Sequence, residues 1–411
     1  MDLSRRRRLS KILWYRYFDL SQSSTFLNDK ETLHYAKSMM TEVKKYIKSG
    51  LLFEITNNEI LELGFPIRLV NDIEELKSTG NIEYILAYKS IIPFWLHPII
   101  SPSYLDLNKL RILLLENRIE DIQELRAYLE NKSNFSDFEE MLYHSLTYMD
   151  DNIFPESYYK QDLSENQLAN KVGDRIIHGT LHNHTIQSDG YSSLEDVISY
   201  GQKCRYEYIG ISDHSYSTLL GISEEELSNQ HSQIDKNNID NKGIFVLKGI
   251  ECEILRDGKL DYDCDQLKKF DYVIGGIHTD YNMTRKQAEK RIVKAIESGL
   301  VNILAHPSNR IYGSKPGFDL DFEYIIDACI RNNVVIEING NKKRLDLDPK
   351  YITYASNHDA MFEIAADTHK LADFGRLNNA IAIVEDYKIP AEQIINLYNK
   401  SELLTLLQKH H

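Results

Sequence analysis

Cysteine is scarce in this chain. Only Cys204, Cys252, Cys264 and Cys329 occur in 411 residues, and no two are spaced as Cys-x-x-Cys. That excludes the usual zinc-ribbon pattern and argues against a disulfide framework, so most of the four are expected to be small buried hydrophobes. Long apolar runs are also missing. Ile91–Ile100 is the longest candidate, and Pro93, His97 and Pro98 break it well short of the ~20 residues of a membrane span. Behind Arg5–Arg8, the residues Lys11, Tyr15 and Arg16 interrupt any apolar stretch. No secretory signal is therefore expected, no membrane partner, and the cytoplasm is the expected compartment. Basic residues are in deficit, 48 Lys and Arg against 62 Asp and Glu, for a net charge of −14. A nucleic-acid binder usually shows a basic face. The balance does not decide the matter, because carboxylates that bind divalent cations are neutralised in use. There is no G-x-S-x-G elbow, no Gly-Lys-Ser/Thr phosphate loop and no Rossmann glycine fingerprint, which removes three common enzyme classes.

What is present divides the chain. Residues 1–155 read as a small all-α module. Leu33, Ala36, Met40, Val43 and Ile47 fall on one face at helical spacing, and Gly50 is a natural stop. Further helices are expected over Ile67–Ser78, Leu107–Glu116, Asp121–Asn131 and Phe138–Met149. The Arg5–Arg8 run is read as a solvated tail. Residues 156–174 are polar and read as a linker. From Ile176 the pattern becomes strand, polar loop, helix, repeated, with strands at Ile176–Leu181, Tyr206–Ile211, Ile244–Ile250, Tyr272–Ile277, Val301–Leu304, Val334–Ile338 and Met361–Ala365. Seven βα units imply a parallel sheet with helices outside, and a barrel is favoured over an open sheet. Residues 175–400 are assigned to this α/β domain and 401–411 to a C-terminal tail.

Polar residues fall at the end of nearly every expected strand, where a βα barrel builds its active site. The strands end in His182-Asn-His184 with Asp189 beyond, in Asp213-His214, in Glu251, His278 and His306, in Glu337-Ile-Asn339, and in Asp367-Thr-His369. Alternation along an extended segment puts His182 and His184 on one side, and likewise Asp367 and His369. Imidazole and carboxylate hold zinc, manganese or iron while leaving positions open for water and substrate. So many polar groups converging unpaired would cost several kcal/mol each, and metal is the simplest neutraliser. Two or three clustered cations bring the pKa of a bound water towards ~7 and clamp phosphoryl oxygens, which points to phosphoester hydrolysis.

At these residues the sequence resembles the PHP (polymerase and histidinol phosphatase) domain, in the version found at the C-terminus of bacterial family X DNA polymerases. The stretches that carry the resemblance are Leu181–Gly190, Tyr208–Ser215, Leu247–Glu251, Ile277-His278, Leu304–Pro307, Glu337–Asp346 and Ala366–His369. The resemblance implies a distorted, TIM-like (βα)7 barrel holding two or three divalent metals (Mn2+, Zn2+ or Fe2+). It implies His182, His184, Glu251 and Asp367 around one metal and Glu251, His278 and His306 around a second. The third would take Asp189, His214 and His369. Glu251, Asp367 and His182 are the implied catalytic residues. Arg310, Asn339, Asn341, Lys343 and Arg344, just after strand ends, are the candidate substrate-binding residues. Phe65–Met149 is similar to the helix-hairpin-helix region of the same polymerases, though its hairpins lack glycine. The nucleotidyl-transfer palm has no counterpart, so polymerase activity is not expected.

Three functions are compatible with this reading. The first is a 3′–5′ exonuclease acting on nucleic-acid 3′ ends. The second is a phosphatase of the histidinol-phosphate or nucleotide type, acting on a small phosphorylated substrate. The third is a helical module that docks a protein partner and carries the PHP hydrolase as its payload.

Overall fold

The computed structural model describes residues 1, 3–93, 96, 105–150, 171–240, 243–311, 317–341, 344 and 346–408. The chain divides into two compact units, Met1–Tyr148 and Met149–His411.

The first unit is helical throughout its described residues. Its opening element is a 25-residue helix, Leu3–Leu27, that buries Leu13, Tyr17 and Leu20. This corrects the reading of Arg5–Arg8 as a tail: the run forms the first turns of that helix, and Arg6 pairs with Glu54. Lys30–Lys44 follows, capped by Asp29, and buries Met39 where Met40 was expected. Helices Ile67–Thr79, Leu107–Glu116, Ile122–Glu130 and Asp137–Asp150 follow the apolar periodicity closely. Residues 101–104, in the first expected hairpin, lie outside the described residues.

The second unit opens with a small antiparallel hairpin, β1 (Lys171–Val172) and β2 (Arg175–Ile176), turning at Gly173. Part of the expected linker is thus ordered strand, and residues 156–170 lie outside the described residues. Seven parallel strands follow in sheet order: β3 (Gly179–Thr180), β4 (Tyr208–Ile211), β5 (Phe245–Glu253), β6 (Tyr272–Gly276), β7 (Ile303–Leu304), β8 (Val335–Asn339) and β9 (Phe362–Ala365). The sheet is nearly closed. Beyond β3 and β9, Asn183 bridges Thr368 in parallel, with the His184 amide donating to the Thr368 carbonyl at 2.8 Å.

The barrel interior is filled, not hollow. Leu181, Tyr208, Leu247, Tyr272, Ile303 and Val335 form one buried cluster, joined from below by Leu403 and Leu407. Gly249 makes room for this packing, since a Cβ there would stand 2.1 Å from the Tyr272 ring. The Tyr272 hydroxyl donates to the Leu181 carbonyl at 2.6 Å, which satisfies its one polar atom inside the barrel. Leu403 and Leu407 lie on the helix Lys400–Leu407, whose last carbonyl accepts from Asn302 at 3.0 Å. The expected tail is therefore a structural plug. A second, larger apolar cluster lies between the strands and the outer helices, and places the polar strand ends together at one mouth.

Candidate metal centre

All nine residues singled out as ligands meet at the C-terminal mouth of the barrel. Their ligand atoms form overlapping groups: His184, Asp189, His214 and His369; His182, Glu251 and His306; His182, His184 and Asp367; and His214, Glu251 and His278. Within each group the atoms lie within 4.8 Å of one another. Glu251 is the hub. Its Oε1 stands 3.1 Å from Nε2 of both His278 and His306, and its Oε2 stands 3.4 Å from His182 Nε2 and 3.5 Å from His184 Nε2. On the opposite wall, Asp367 Oδ1 is 3.3 Å from His184 Nε2 and 3.6 Å from His182 Nε2. Asp189 Oδ1 is 3.0 Å from His369 Nε2 and 3.6 Å from His214 Nε2.

These proximities are not hydrogen bonds. Nε2 of His182, both ring nitrogens of His184, Nε2 of His278 and both carboxylate oxygens of Glu251 are buried without a well-angled partner. Even His214 Nδ1, 2.8 Å from Glu251, is not angled to form one. Buried polar atoms are almost always satisfied. A cluster of orphaned lone pairs of imidazole and carboxylate type, all aimed inward, fits divalent cations. The backbone supports the same reading. His306 and Asp367 hold φ of 28° and 50°, in the left-handed region that residues with a Cβ rarely occupy and that concentrates at functional sites.

The electrostatics follow from the crowding. For His278, burial pushes the imidazole down, but Glu251 and Glu253 outweigh it and raise it to about 10. His184 is depressed to about 4 by burial and by its neighbours His369 and His214. Burial would raise Glu251 and Asp367, yet the surrounding histidines hold both carboxyls well below the usual range. The carboxylates thus remain charged, as metal ligands must be.

The candidate substrate residues part company here. Arg344 lies at the centre's edge, Nε 3.4 Å from Asp367 Oδ2, with a buried Nη1 that has no hydrogen-bond partner. Arg310 is 2% exposed, and its guanidinium is engaged by the Arg344 carbonyl at 3.1 Å and by Asp348 at 2.9 Å. Asn339 donates to Glu337 at 2.7 Å and accepts from the Asn341 amide at 2.9 Å, so it is occupied in shaping its loop. Lys343 lies outside the described residues.

Sequence reasoning missed a set of buried carboxylates just behind the ligands. Asp213 accepts from the Thr185 amide (2.7 Å), the Ser188 hydroxyl (2.5 Å) and Gln230 (2.6 Å), fixing the loop between His184 and Asp189. Asp346 holds Ser308 and Asn309, just after His306. Asp373 accepts from the His369 amide at 3.1 Å. Period-two alternation along β5 could have exposed one further member, since Glu253 must share the inward side with Glu251.

The fold is a βα barrel, and its mouth gathers clusters of histidine and carboxylate that could hold metal ions. In this chain, residues 180–341 match the PHP domain. Among known proteins it is similar to the DNA polymerase/3′-5′ exonuclease PolX of Bacillus subtilis, 30% identical over 57% of this chain and 41% of that one. The match thus spans about two-fifths of the Bacillus protein's length. A probable phosphatase of Shewanella sediminis is 28% identical over 56% of this chain and 92% of its own length. Among solved structures, the histidinol phosphate phosphatase of Lactococcus lactis, complexed with zinc, L-histidinol and phosphate, aligns with a TM-score of 0.40. It shares 12% identity and covers 52% of this chain and 95% of its own.

Proposed function

We propose that this chain hydrolyses phosphodiesters at nucleic-acid 3′ ends as a 3′–5′ exonuclease. The observation that carries the reading is the orphaned donor of Arg344 beside the ligand cluster: a cation with a free N–H, buried at the rim of a metal-binding mouth, suits a phosphate oxygen. His182, His184, Glu251 and Asp367 would hold one cation, Glu251, His278 and His306 a second, and Asp189, His214 and His369 a third. Cations held there would acidify a bound water and neutralise charge on the phosphoryl oxygens. The protein's own part is positional. Glu251 spans the centre with both oxygens, Asp367 faces it from the opposite wall, and Arg344 orients the phosphate.

A second reading, a phosphomonoesterase, is favoured by one observation. The Shewanella probable phosphatase matches over nearly its whole length, so the barrel unit is the size of a free-standing enzyme.

One assay separates the two. Full-length protein is incubated with Mn2+ and 5′-labelled single-stranded DNA or RNA bearing a 3′ hydroxyl, alongside small phosphomonoesters. Stepwise 3′ shortening that disappears in His182→Ala is the expected result. Release of phosphate from monoesters with intact oligonucleotides would replace the exonuclease with the phosphatase. Arg344→Met is expected to raise KM and lower kcat by about 10–100-fold in total, as the loss of a charge-assisted contact of ~1.5–3 kcal/mol requires.

A further inference from the structure

Two of the six imidazoles at the mouth differ from the others in what stands behind them. His182 and His278 each turn Nε2 to Glu251, and each presents Nδ1 to a fully buried carboxylate that belongs to no ligand group. Behind His182 it is Glu337, in close contact with Nδ1, with its other oxygen accepting from Asn339 at 2.7 Å. Behind His278 it is Glu253, whose Oε2 lies 2.9 Å from Nδ1. Elsewhere the arrangement is different. His369 Nδ1 meets a backbone carbonyl at 3.0 Å, His306 Nδ1 has no partner, and His214 turns Nδ1 towards Glu251 itself.

Glu253 is itself held at many points. It accepts from the amides of His278 (2.7 Å) and Thr279 (3.0 Å) and from the Thr279 hydroxyl (2.7 Å), and pairs with Arg291 at 3.1 Å. Arg291 is buried in the helix Arg285–Ile296 and also donates to the carbonyls of Ile254, Thr279 and Asp280. Burying such a pair for stability alone is poor design, since apolar residues of like volume do as well or better. A carboxylate can only accept, so its presence at Nδ1 keeps a ring hydrogen there, and in the neutral ring that a metal ion selects it leaves the Nε2 lone pair facing the centre. Neither ring can rotate without losing that bond.

We propose that Glu253 and Glu337 are positioning residues that lock His278 and His182 in the tautomer and orientation a metal ion requires. The inference rests on the metal-centre reading and adds to it two residues that hold no metal themselves. Outer carboxylates of this kind are worth about 10–100-fold in metal affinity.

The test uses full-length protein stripped with EDTA and titrated with Mn2+ by calorimetry, and with Co2+ followed by its visible absorption. The variants are Glu253→Gln and Glu337→Gln. Both are expected to weaken the tightest binding step by about 10–100-fold and alter the Co2+ spectrum, in protein shown by far-ultraviolet circular dichroism to be folded at the titration temperature. Unchanged affinity and spectrum in both folded variants would overturn the proposal. Should either glutamine variant fail to fold, Thr279→Val and Asn339→Ala loosen Glu253 and Glu337 without removing a charge. These are expected to give a smaller loss in the same direction, and no loss in either would equally overturn the proposal. A wild-type protein that binds neither Mn2+ nor Co2+ would instead sink the metal-centre reading itself.

Discussion

Two polar clusters, one in each unit of this chain, are built in opposite ways. In the helical unit donors close on the carboxylates of Asp72 and Glu139, although the buried Tyr35 hydroxyl, the Ser23 hydroxyl and the Trp14 indole N–H have no hydrogen-bond partner. The Tyr17 hydroxyl donates to Asp72 at 2.5 Å and that of Tyr84 donates to the same oxygen at 3.2 Å, while Arg68 lies across the rings of Tyr35 and Tyr84. At the Ser133–Asp137 turn, Glu139 accepts from the amide and hydroxyl of Ser136, from Tyr128 and from Lys132. A helix-hairpin-helix turn offers such an amide to DNA phosphate, and here a carboxylate already occupies it. In the barrel, by contrast, buried nitrogens and oxygens converge without bonding. A finished network specifies a fold, whereas an unfinished one is waiting for something to bind.

The largest effect tests the unfinished side. Glu251→Ala should lower hydrolysis on the order of 10³-fold or more, equivalent to losing several kcal/mol of charge stabilisation. The fold should survive, because the Glu251 side chain accepts no well-angled hydrogen bond whose loss would be felt. Retained activity would erase the distinction between the two regions. Chelation comes next. Cations at a hundredfold excess over Kd stabilise the unit that binds them by ~2.7 kcal/mol, and EDTA should remove roughly 5–10 °C from the melting temperature of the barrel. Both tryptophans, Trp14 and Trp95, precede residue 149, so their emission follows the helical unit. Tryptophan emission should ignore EDTA while the circular dichroism of the barrel responds.

How much of this could be read from sequence follows from the range of the interactions involved. Seven strands separated by helices repeat a local pattern, and the candidate ligands sit at or just beyond the ends of apolar runs, so the barrel and the nine residues gathered at its mouth were legible. The first helix was not. Its buried Leu13, Tyr17 and Leu20 lie in the dense apolar and aromatic run Ile12–Leu20, where exposed and buried faces have little contrast, and Arg5–Arg8 dominated the reading of that segment. The plug formed by Lys400–Leu407 was equally hidden, because only the closed barrel creates the cavity that Leu403 and Leu407 fill. Arg310 looked like a phosphate ligand because its proximity to the site is visible in sequence, while its engagement with Asp348 is a property of the fold. Alternation sets Glu253 beside Glu251, and Glu337 stands among the strand-end residues, but no local pattern marks their role, which lies in what they touch across the barrel.

On the finished side, effects should be confined to stability. Tyr17→Phe removes the hydroxyl from Asp72, a side chain 2% exposed, and leaves its carboxylate one donor short. The expected cost is about 1–3 kcal/mol, read as a lower melting temperature in tryptophan emission, with hydrolysis per folded molecule unchanged. A loss of activity in Tyr17→Phe without a loss of stability would show that the helical unit contributes to the reaction directly.

The smallest effect is one of pH. For Glu139, burial would raise the carboxyl, but the Lys132 ammonium and the amide and hydroxyl of Ser136 outweigh it and depress the group to about 2 from its ordinary 4.5. A carboxyl with a depressed folded-state pKa favours folding only where it is ionised in the unfolded chain too. Its contribution is therefore complete above about pH 4.5 and drains away as the pH falls towards 2. Glu139→Gln cannot titrate, so the acid-induced loss of stability in tryptophan emission should be shallower across that window than in wild type. Parallel slopes for the two proteins would mean that Glu139 is solvated instead of tied to Ser136 and Lys132. The turn's amide would then be free, and the contrast between a closed helical cluster and an open barrel mouth would fail at this turn.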